Sequence, residues 1–153
     1  MSQKGYEIGA LIGTIDPRII TSTEIFTDVI DMGDFDQVTA YCMIGDSDGS
    51  AIVCRAVTCD SAGNNVAAFK TADTLANSPT ANDNCQIIIN VAAEDLAGGT
   101  ATTADRYVKF GMVTGSNDAY AACAVIGYLP KQGPGHADYP DLTTVKEIED
   151  DAD

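Results

Sequence analysis

The chain contains a single histidine, His136, which limits the acid–base chemistry that its side chains can perform. A catalytic triad would combine His136 with Asp138 or Asp141 and with a serine or cysteine nucleophile. His136 stands in a segment rich in glycine and proline, and such a segment does not hold a base rigidly beside a nucleophile. An exposed loop histidine is therefore the favoured interpretation, and the sequence predicts that the protein is not an enzyme.

The stretch GDSDGS at residues 45–50 has the start of a calcium-loop pattern, because Asp46 and Asp48 are two residues apart and a glycine follows them. A calcium loop also needs a third ligand and a distal bidentate glutamate, and no acidic residue stands near that distance. Asp, Ser and Gly are ordinary turn residues. We therefore expect a hairpin turn here, with a calcium ion bound at a subunit boundary as the alternative.

The cysteines are the third group of residues that could perform chemistry, as nucleophiles or metal ligands. The five cysteines form no CxxC pair and fall mostly inside apolar runs: Cys42, Cys54, Cys59, Cys85 and Cys123. A structural zinc is not expected, because zinc sites need paired cysteine or histidine ligands. An odd number of cysteines without a signal peptide is typical of a reducing cytosol. The sequence thus predicts reduced core thiols, no metal and no cofactor.

The charge of the chain disfavours nucleic acids as partners. With 23 acidic and 8 basic residues, the formal net charge is −15, and a phosphate backbone would repel such a chain. Nucleic-acid binding is therefore disfavoured. Nowhere do 18 uninterrupted apolar residues occur, so no membrane segment is expected and the protein should be soluble and unexported.

The pattern of short apolar runs separated by turn residues predicts an all-β chain. We expect an antiparallel β-sandwich or jelly roll over residues 21–131. Two pairs of runs are predicted to form hairpins: 106–114 with 121–129, and 37–44 with 51–59. The predicted strands are 24–32, 37–44, 51–59, 66–69, 85–91, 106–114 and 121–129.

Two segments flank this domain. Residues 132–153 carry seven acidic residues and one basic residue, and are predicted to form a flexible acidic tail. Residues 1–20 are predicted to form an extended arm that docks either on its own domain or on a neighbouring subunit, so that its deletion should leave the β domain folded. The candidate interface residues are Tyr6, Ile8, Leu11, Ile12, Ile15, Arg18, Ile19 and Ile20.

From about Val29 to Lys131 the chain resembles the capsid decoration, or cement, proteins of tailed bacteriophages. Four stretches carry the resemblance: VIDMGDFDQVTAYCMIG, AIVCRAVTCDSAG, RYVKFGMVTG and AVIGYLP, with Arg106 and Tyr107 nearest to a signature. The resemblance implies a non-enzymatic virion protein, made in the host cytoplasm, that binds the major capsid protein on the shell exterior. It also implies a homo-oligomer, with a trimer favoured, that bridges neighbouring capsomers.

The alternative is a carbohydrate- or ligand-binding β-sandwich module, such as a phage receptor-binding domain. The chain has no tryptophan and only 7% aromatic residues. Sugar sites usually need aromatic platforms, so this composition disfavours the alternative.

Overall fold

A computed structural model describes residues 9–47, 51–64, 66–71, 84–97, 106–115 and 117–128. Within these ranges the chain is built from strands and one short helix, which confirms the predicted all-β class. The elements are β1 Gly9–Ile20, β2 Ile25–Phe26, β3 Ile30–Asp31, β4 Gln37–Ile44, β5 Ile52–Cys59, β6 Ala67–Thr71, β7 Cys85–Ala92, α1 Ala93–Ala97, β8 Tyr107–Thr114 and β9 Ala119–Tyr128.

The strands form two antiparallel sheets. The first sheet has the order β1-β9-β4-β7, and the second has the order β2-β8-β5-β6, with β3 also paired to β8. The pairings are nested along the chain: β1 with β9, β2 and β3 with β8, β4 with β7, and β5 with β6. When β2 and β3 are counted as one interrupted strand, this order is that of an eight-stranded jelly roll.

A shared core fills the space between the sheets, and strand periodicity explains which side chains enter it. In β7, Ile89 and Val91 are buried and Ile87 packs against the core, whereas Gln86 and Asn90 are exposed. This alternation is the one that the sequence predicts for a half-exposed antiparallel strand. Strand β9 alternates in the same way along its whole length.

Strands β2 and β3 replace the single predicted strand 24–32, and Thr27 bridges the gap between them. The Thr27 backbone N–H donates to the Phe110 carbonyl at 2.9 Å, and the Phe110 N–H donates to Thr27 Oγ1 at 3.0 Å. A side-chain hydroxyl thus accepts the hydrogen bond that a strand carbonyl would normally accept. The segment stays attached to β8 although its backbone leaves the ladder.

Both predicted hairpins are wrong. Strands β8 and β9 lie in different sheets, as do β4 and β5, so the short links after Thr114 and Ile44 cross from one sheet to the other. Strand β8 pairs with β5, while β9 inserts between β1 and β4. A short polar link fits either a hairpin or a crossing between sheets, and only the choice of partner strands decides between them.

The boundary predicted after residue 20 does not coincide with an edge of the sandwich. Residues 9–20 are extended, as predicted, but they form strand β1, which pairs with β9 from Gly9 to Ile20. The arm therefore docks on its own domain over these residues. Residues 1–8 and the predicted tail at 132–153 lie outside the described part of the chain.

The close contact of Gly127 with Phe35 yields a first prediction. A Cβ at Gly127 would lie 2.5 Å from Phe35 Cδ1 and 2.9 Å from Ile12 Cδ1. We expect Gly127→Ala to lower the free energy of unfolding by about 1–3 kcal/mol, because these core side chains must shift. Urea denaturation measures the change.

The matched control is Gly13→Ala in β1, where a Cβ would lie 3.6 Å from its nearest neighbours, which is ordinary van der Waals contact. This change should leave the free energy of unfolding unchanged or raise it by up to about 1 kcal/mol, because alanine loses less backbone entropy than glycine on folding. Equal effects of the two alanines would show that steric crowding at Gly127 is not limiting.

The position of β1 yields a second prediction. Deleting residues 1–20 removes Ile12, Ile15 and Ile20 from the core. Burying one such side chain contributes about 1.5–3 kcal/mol, and a domain has only about 5–15 kcal/mol of net stability. We therefore expect the truncated chain to lose its cooperative thermal unfolding transition, as followed by circular dichroism. A folded 21–153 fragment would contradict the prediction.

Candidate interaction surface

The predicted interface residues of the N-terminal segment do not form one surface. Ile12, Ile15 and Ile20 point into the core. Arg18 and Ile19 are exposed, and Leu11 is half-buried. Tyr6 and Ile8 lie outside the described residues. Three of the eight candidates are therefore unavailable to a partner, and Ile19 is the exposed apolar member.

Ile19 belongs to a larger surface formed by the outward-facing side chains of the first sheet, here called the outer face. Its register partner on β9 is Tyr120, which is 58% exposed, and Ile88 of β7 is 55% exposed. Besides Ile19, the outer face comprises Tyr120, Ala122, Ala124, Ile126 and Tyr128 on β9, Gln37, Thr39, Tyr41 and Met43 on β4, and Gln86, Ile88 and Asn90 on β7.

The outer face is uncharged over the width of three strands. All residues of β4, β7 and β9 are described, and no outward position among them carries a charge. The whole chain has a formal net charge of −15. A partner could therefore approach these three strands without desolvating a charge that they carry.

A shallow depression of about 550 Å³ lies at one end of the outer face. The register of β1 shifts between Ile15 and Arg18. Pro17, Arg18 and Ile19 line the depression together with Met43 of β4 and Tyr120 of β9. Proline cannot donate to a neighbouring strand, and a bulge bends the strand edge. Both features oppose edge-to-edge pairing through β1 and leave the broad face as the more accessible surface.

Polar side chains at the other end of the outer face are paired with each other. The hydroxyls of Tyr41 and Tyr128 share a hydrogen bond of 3.2 Å, and Thr39 Oγ1 donates to Asn90 Oδ1 at 2.7 Å. The hydrogen bond with Tyr41, together with burial, raises the pKa of the Tyr128 hydroxyl. Tyr128 therefore remains protonated over the ordinary pH range, and this end of the outer face stays neutral.

The second sheet has a different exterior, because described side chains at its β2 edge lie across the neighbouring strand β8. A Cβ at Gly111 would lie 2.5 Å from Glu24 Oε1 and 2.7 Å from Phe26 Cε1. Glu24 in turn accepts two hydrogen bonds from Arg55, at 2.6 Å and 2.5 Å. Lys109 Nζ lies 4.2 Å from the centre of the Phe26 ring. The described charged side chains Glu24, Arg55 and Lys109 thus have partners within the molecule.

Arg106 and Tyr107, the nearest approach to a family signature, also lie at the second sheet. Arg106 binds Asp31 through Nε–Oδ1 at 2.5 Å and Nη2–Oδ2 at 2.7 Å. The Asp31 carboxylate holds the pKa of the Arg106 guanidinium above its ordinary value. The pair ties β3 to the start of β8, so the structure gives Arg106 a role within the fold.

The remaining candidate sites from the sequence have no assembled counterpart in the described residues. Asp48 and His136 lie outside these residues, with Asp138 and Asp141. The Asp46 carbonyl accepts a hydrogen bond from the Tyr120 N–H at 2.9 Å, which ties the segment after β4 to β9. Among the described side chains, no group of three or more His, Cys, Asp or Glu residues could hold a metal ion. Nor does the described part of the chain include a helix long and apolar enough to cross a membrane.

Comparisons with known proteins do not assign a family. No protein-family model matches the chain, and no curated protein matches it. Among solved structures, a protein from Bacillus endospore appendages, a family of disulfide-linked pili, aligns with a TM-score of 0.40 and 13% identity. The alignment covers 84% of this chain and 96% of the Bacillus protein. A likeness of this degree carries no functional argument, so function must be argued from the surface itself.

Neighbouring isoleucines of β7 test which face is exposed. Ile88 is 55% exposed on the outer face, whereas Ile89 is 5% exposed and belongs to the core. We expect Ile89→Ala to lower the free energy of unfolding by about 2–5 kcal/mol, through lost burial and a cavity. Ile88→Ala should cost less than about 1 kcal/mol, mainly through lower strand propensity. Urea denaturation of both variants measures the difference, and similar costs would contradict the assigned faces.

Proposed function

We propose that this chain is a non-enzymatic structural protein that binds the exterior of a bacteriophage capsid and stabilises the shell by bridging neighbouring capsomers. The observation that carries the proposal is the uncharged outer face on a strongly acidic chain. The resemblance of residues 29–131 to phage decoration proteins supplies the identity of the partner, the major capsid protein.

The composition of the outer face suits a protein partner. Tyr120, Met43 and Ile88 are exposed there, and aromatic residues and methionine are enriched in protein interfaces while charged residues are depleted from interface cores. Burying apolar surface contributes roughly 25 cal/mol per Å² before the costs of association. The acidic remainder of the surface opposes non-specific self-association and directs binding to the outer face.

The jelly roll is compatible with a capsid-binding role but does not distinguish it from carbohydrate binding, because viral capsid proteins and lectins both use the fold. What the fold provides is a rigid platform: the outer face lies on regular strands that also contribute the core. Such a platform can dock with little ordering cost.

Stabilisation of the shell would follow from selective binding. A protein that binds the assembled shell, and not its separated subunits, shifts the assembly equilibrium by mass action. A homotrimer would present three outer faces to neighbouring capsomers, and linked binding events raise the effective concentration of each contact. In this scheme the protein resides on the virion after synthesis in the host cytoplasm.

The proposal moves the contact surface away from the predicted arm. Ile19 is common to both hypotheses, but Ile12, Ile15 and Ile20 are replaced by outward residues of β4, β7 and β9. Deletion of residues 1–20 is unsuitable as a test of capsid contact, because it would remove β1 and hence part of the core.

Substitutions on the outer face test the proposal. Ile88→Lys and Tyr120→Lys each place a charge where capsid contact is proposed, so we expect at least about tenfold weaker co-sedimentation with shells, in line with the loss of an interface anchor. The matched control is Val66→Lys, at an apolar position that is 43% exposed next to β6 in the second sheet. The control should bind like the parent protein.

Two outcomes would overturn the proposal. One is unchanged capsid binding by both outer-face variants when circular dichroism shows that they are folded. The other is binding of the parent protein to host glycans but not to shells, which would favour the carbohydrate-binding alternative.

A further inference from the structure

Two thiols meet in the core where β4 lies beside β9. Cys42 and Cys123 are direct register partners, and their sulfur atoms are 3.6 Å apart. Both side chains are buried, with 0% and 2% exposure. Neither residue contributes to the outer face, so an inference about them is independent of the proposed function.

The backbone at this position already fits a covalent bond. Directly opposed residues of antiparallel strands have Cα atoms about 4.5–5.5 Å apart, and disulfides span Cα separations of about 4.4–6.8 Å. The sulfur atoms need to approach from 3.6 Å to about 2.05 Å. Side-chain rotation can supply that movement without displacing either strand.

We propose that Cys42 and Cys123 form a modification site, at which oxidation creates an intramolecular disulfide that links β4 to β9. From the sequence, the cysteines are predicted to be reduced core thiols. The structure instead brings together two cysteines that are separated by 81 positions in the chain.

Cys54 is the competing partner, because it also lies beside Cys42. Cys54 belongs to β5, so a Cys42–Cys54 bond would have to join the two sheets. Cys123 instead lies directly opposite Cys42 on the neighbouring strand, at a Cα separation that a disulfide accepts. Backbone geometry therefore favours Cys123 as the partner.

Hydrogen bonds connect Cys42 with both of its thiol neighbours in the folded core. Those with Cys123 and Cys54 lower the pKa of Cys42, against the opposing effect of burial. The hydrogen bond with Cys42, together with burial, raises the pKa of Cys123. The thiolate is the nucleophile in disulfide exchange, and either residue can supply it once this region opens.

A small-molecule disulfide such as oxidised glutathione can serve as the oxidant. The Cys42 thiolate attacks one sulfur of the oxidant, which breaks the oxidant's S–S bond and releases one glutathione thiolate. Cys123 then loses its proton to solvent and attacks Cys42 Sγ, which releases the second glutathione thiolate and leaves the Cys42–Cys123 bond. Because both residues are buried, exchange proceeds while the chain folds or when this region opens.

The bond would close a loop that contains the whole chain from β5 to β8. A disulfide restricts the unfolded chain, and the effect increases with loop length. We expect the oxidised protein to melt roughly 5–15 °C above the reduced protein, given the usual relation between stability and melting temperature.

The test refolds the full-length chain in a buffer of reduced and oxidised glutathione. Non-reducing peptide mapping by mass spectrometry should identify a Cys42–Cys123 peptide pair, and the number of thiols should fall from five to three. Thermal melts with and without reductant measure the shift. In Cys123→Ala the intramolecular bond and the reductant-dependent shift should both disappear, whereas Cys54→Ala, the matched control, should retain both.

Three results would overturn the inference. They are five remaining thiols after oxidative refolding, a mapped Cys42–Cys54 bond in the parent protein, or a bond between two copies of the chain in place of the intramolecular one. Peptide mapping reads the covalent linkage directly, so a general loss of stability in an alanine variant cannot imitate the expected pattern.

Discussion

The insertion of β9 between β1 and β4 is the interaction on which the rest of the structure depends. It joins the first described strand to the last and makes β9 a central strand of the first sheet. The other pairings are nested inside this one, so the two halves of the chain run beside each other as a folded ribbon. Contacts of such high sequence separation carry a large loop-closure cost, and a continuous core repays it.

Packing at Gly127 shows how closely this central strand is fitted. Phe35 occupies the space where a Cβ of residue 127 would lie, and Ile12 of β1 packs beside it. A glycine within a strand lowers strand propensity, but Gly127 near the end of β9 allows a large aromatic ring to reach the backbone. The strand thereby gains buried apolar area that an alanine would exclude.

The two exteriors of the sandwich differ in how their described side chains are paired. On the second sheet, the side chains of Glu24 and Phe26 lie over Gly111, and Arg55 binds Glu24. Over the first sheet, the outward residues of β4, β7 and β9 retain exposed apolar side chains such as Ile88 and no charge. An acidic protein that keeps one broad face neutral has a surface suited to a partner, and the proposed capsid contact uses it.

Local sequence patterns were sufficient to predict the fold class and most strands, because a two-residue alternation such as that around Ile89 reports directly on one buried face. They also predicted correctly that residues 9–20 are extended. They failed where the outcome depended on partners distant in sequence: the polar links after Ile44 and Thr114 look like hairpin turns, yet they cross between sheets.

The residues of the candidate site could likewise be predicted only in part, because most of them become neighbours through strand pairing. The exposed apolar residue Ile19 was identifiable from the sequence, but its neighbours Tyr120 and Ile88 were not, because the pairing of β1, β9, β4 and β7 places them on a common face. Cys42 and Cys123 likewise become neighbours only through that pairing. The sequence by itself determined which side chains alternate, and therefore that strands would form and where. Only the tertiary structure decided which strands are neighbours, because that choice depends on burial of the whole core and not on any local pattern.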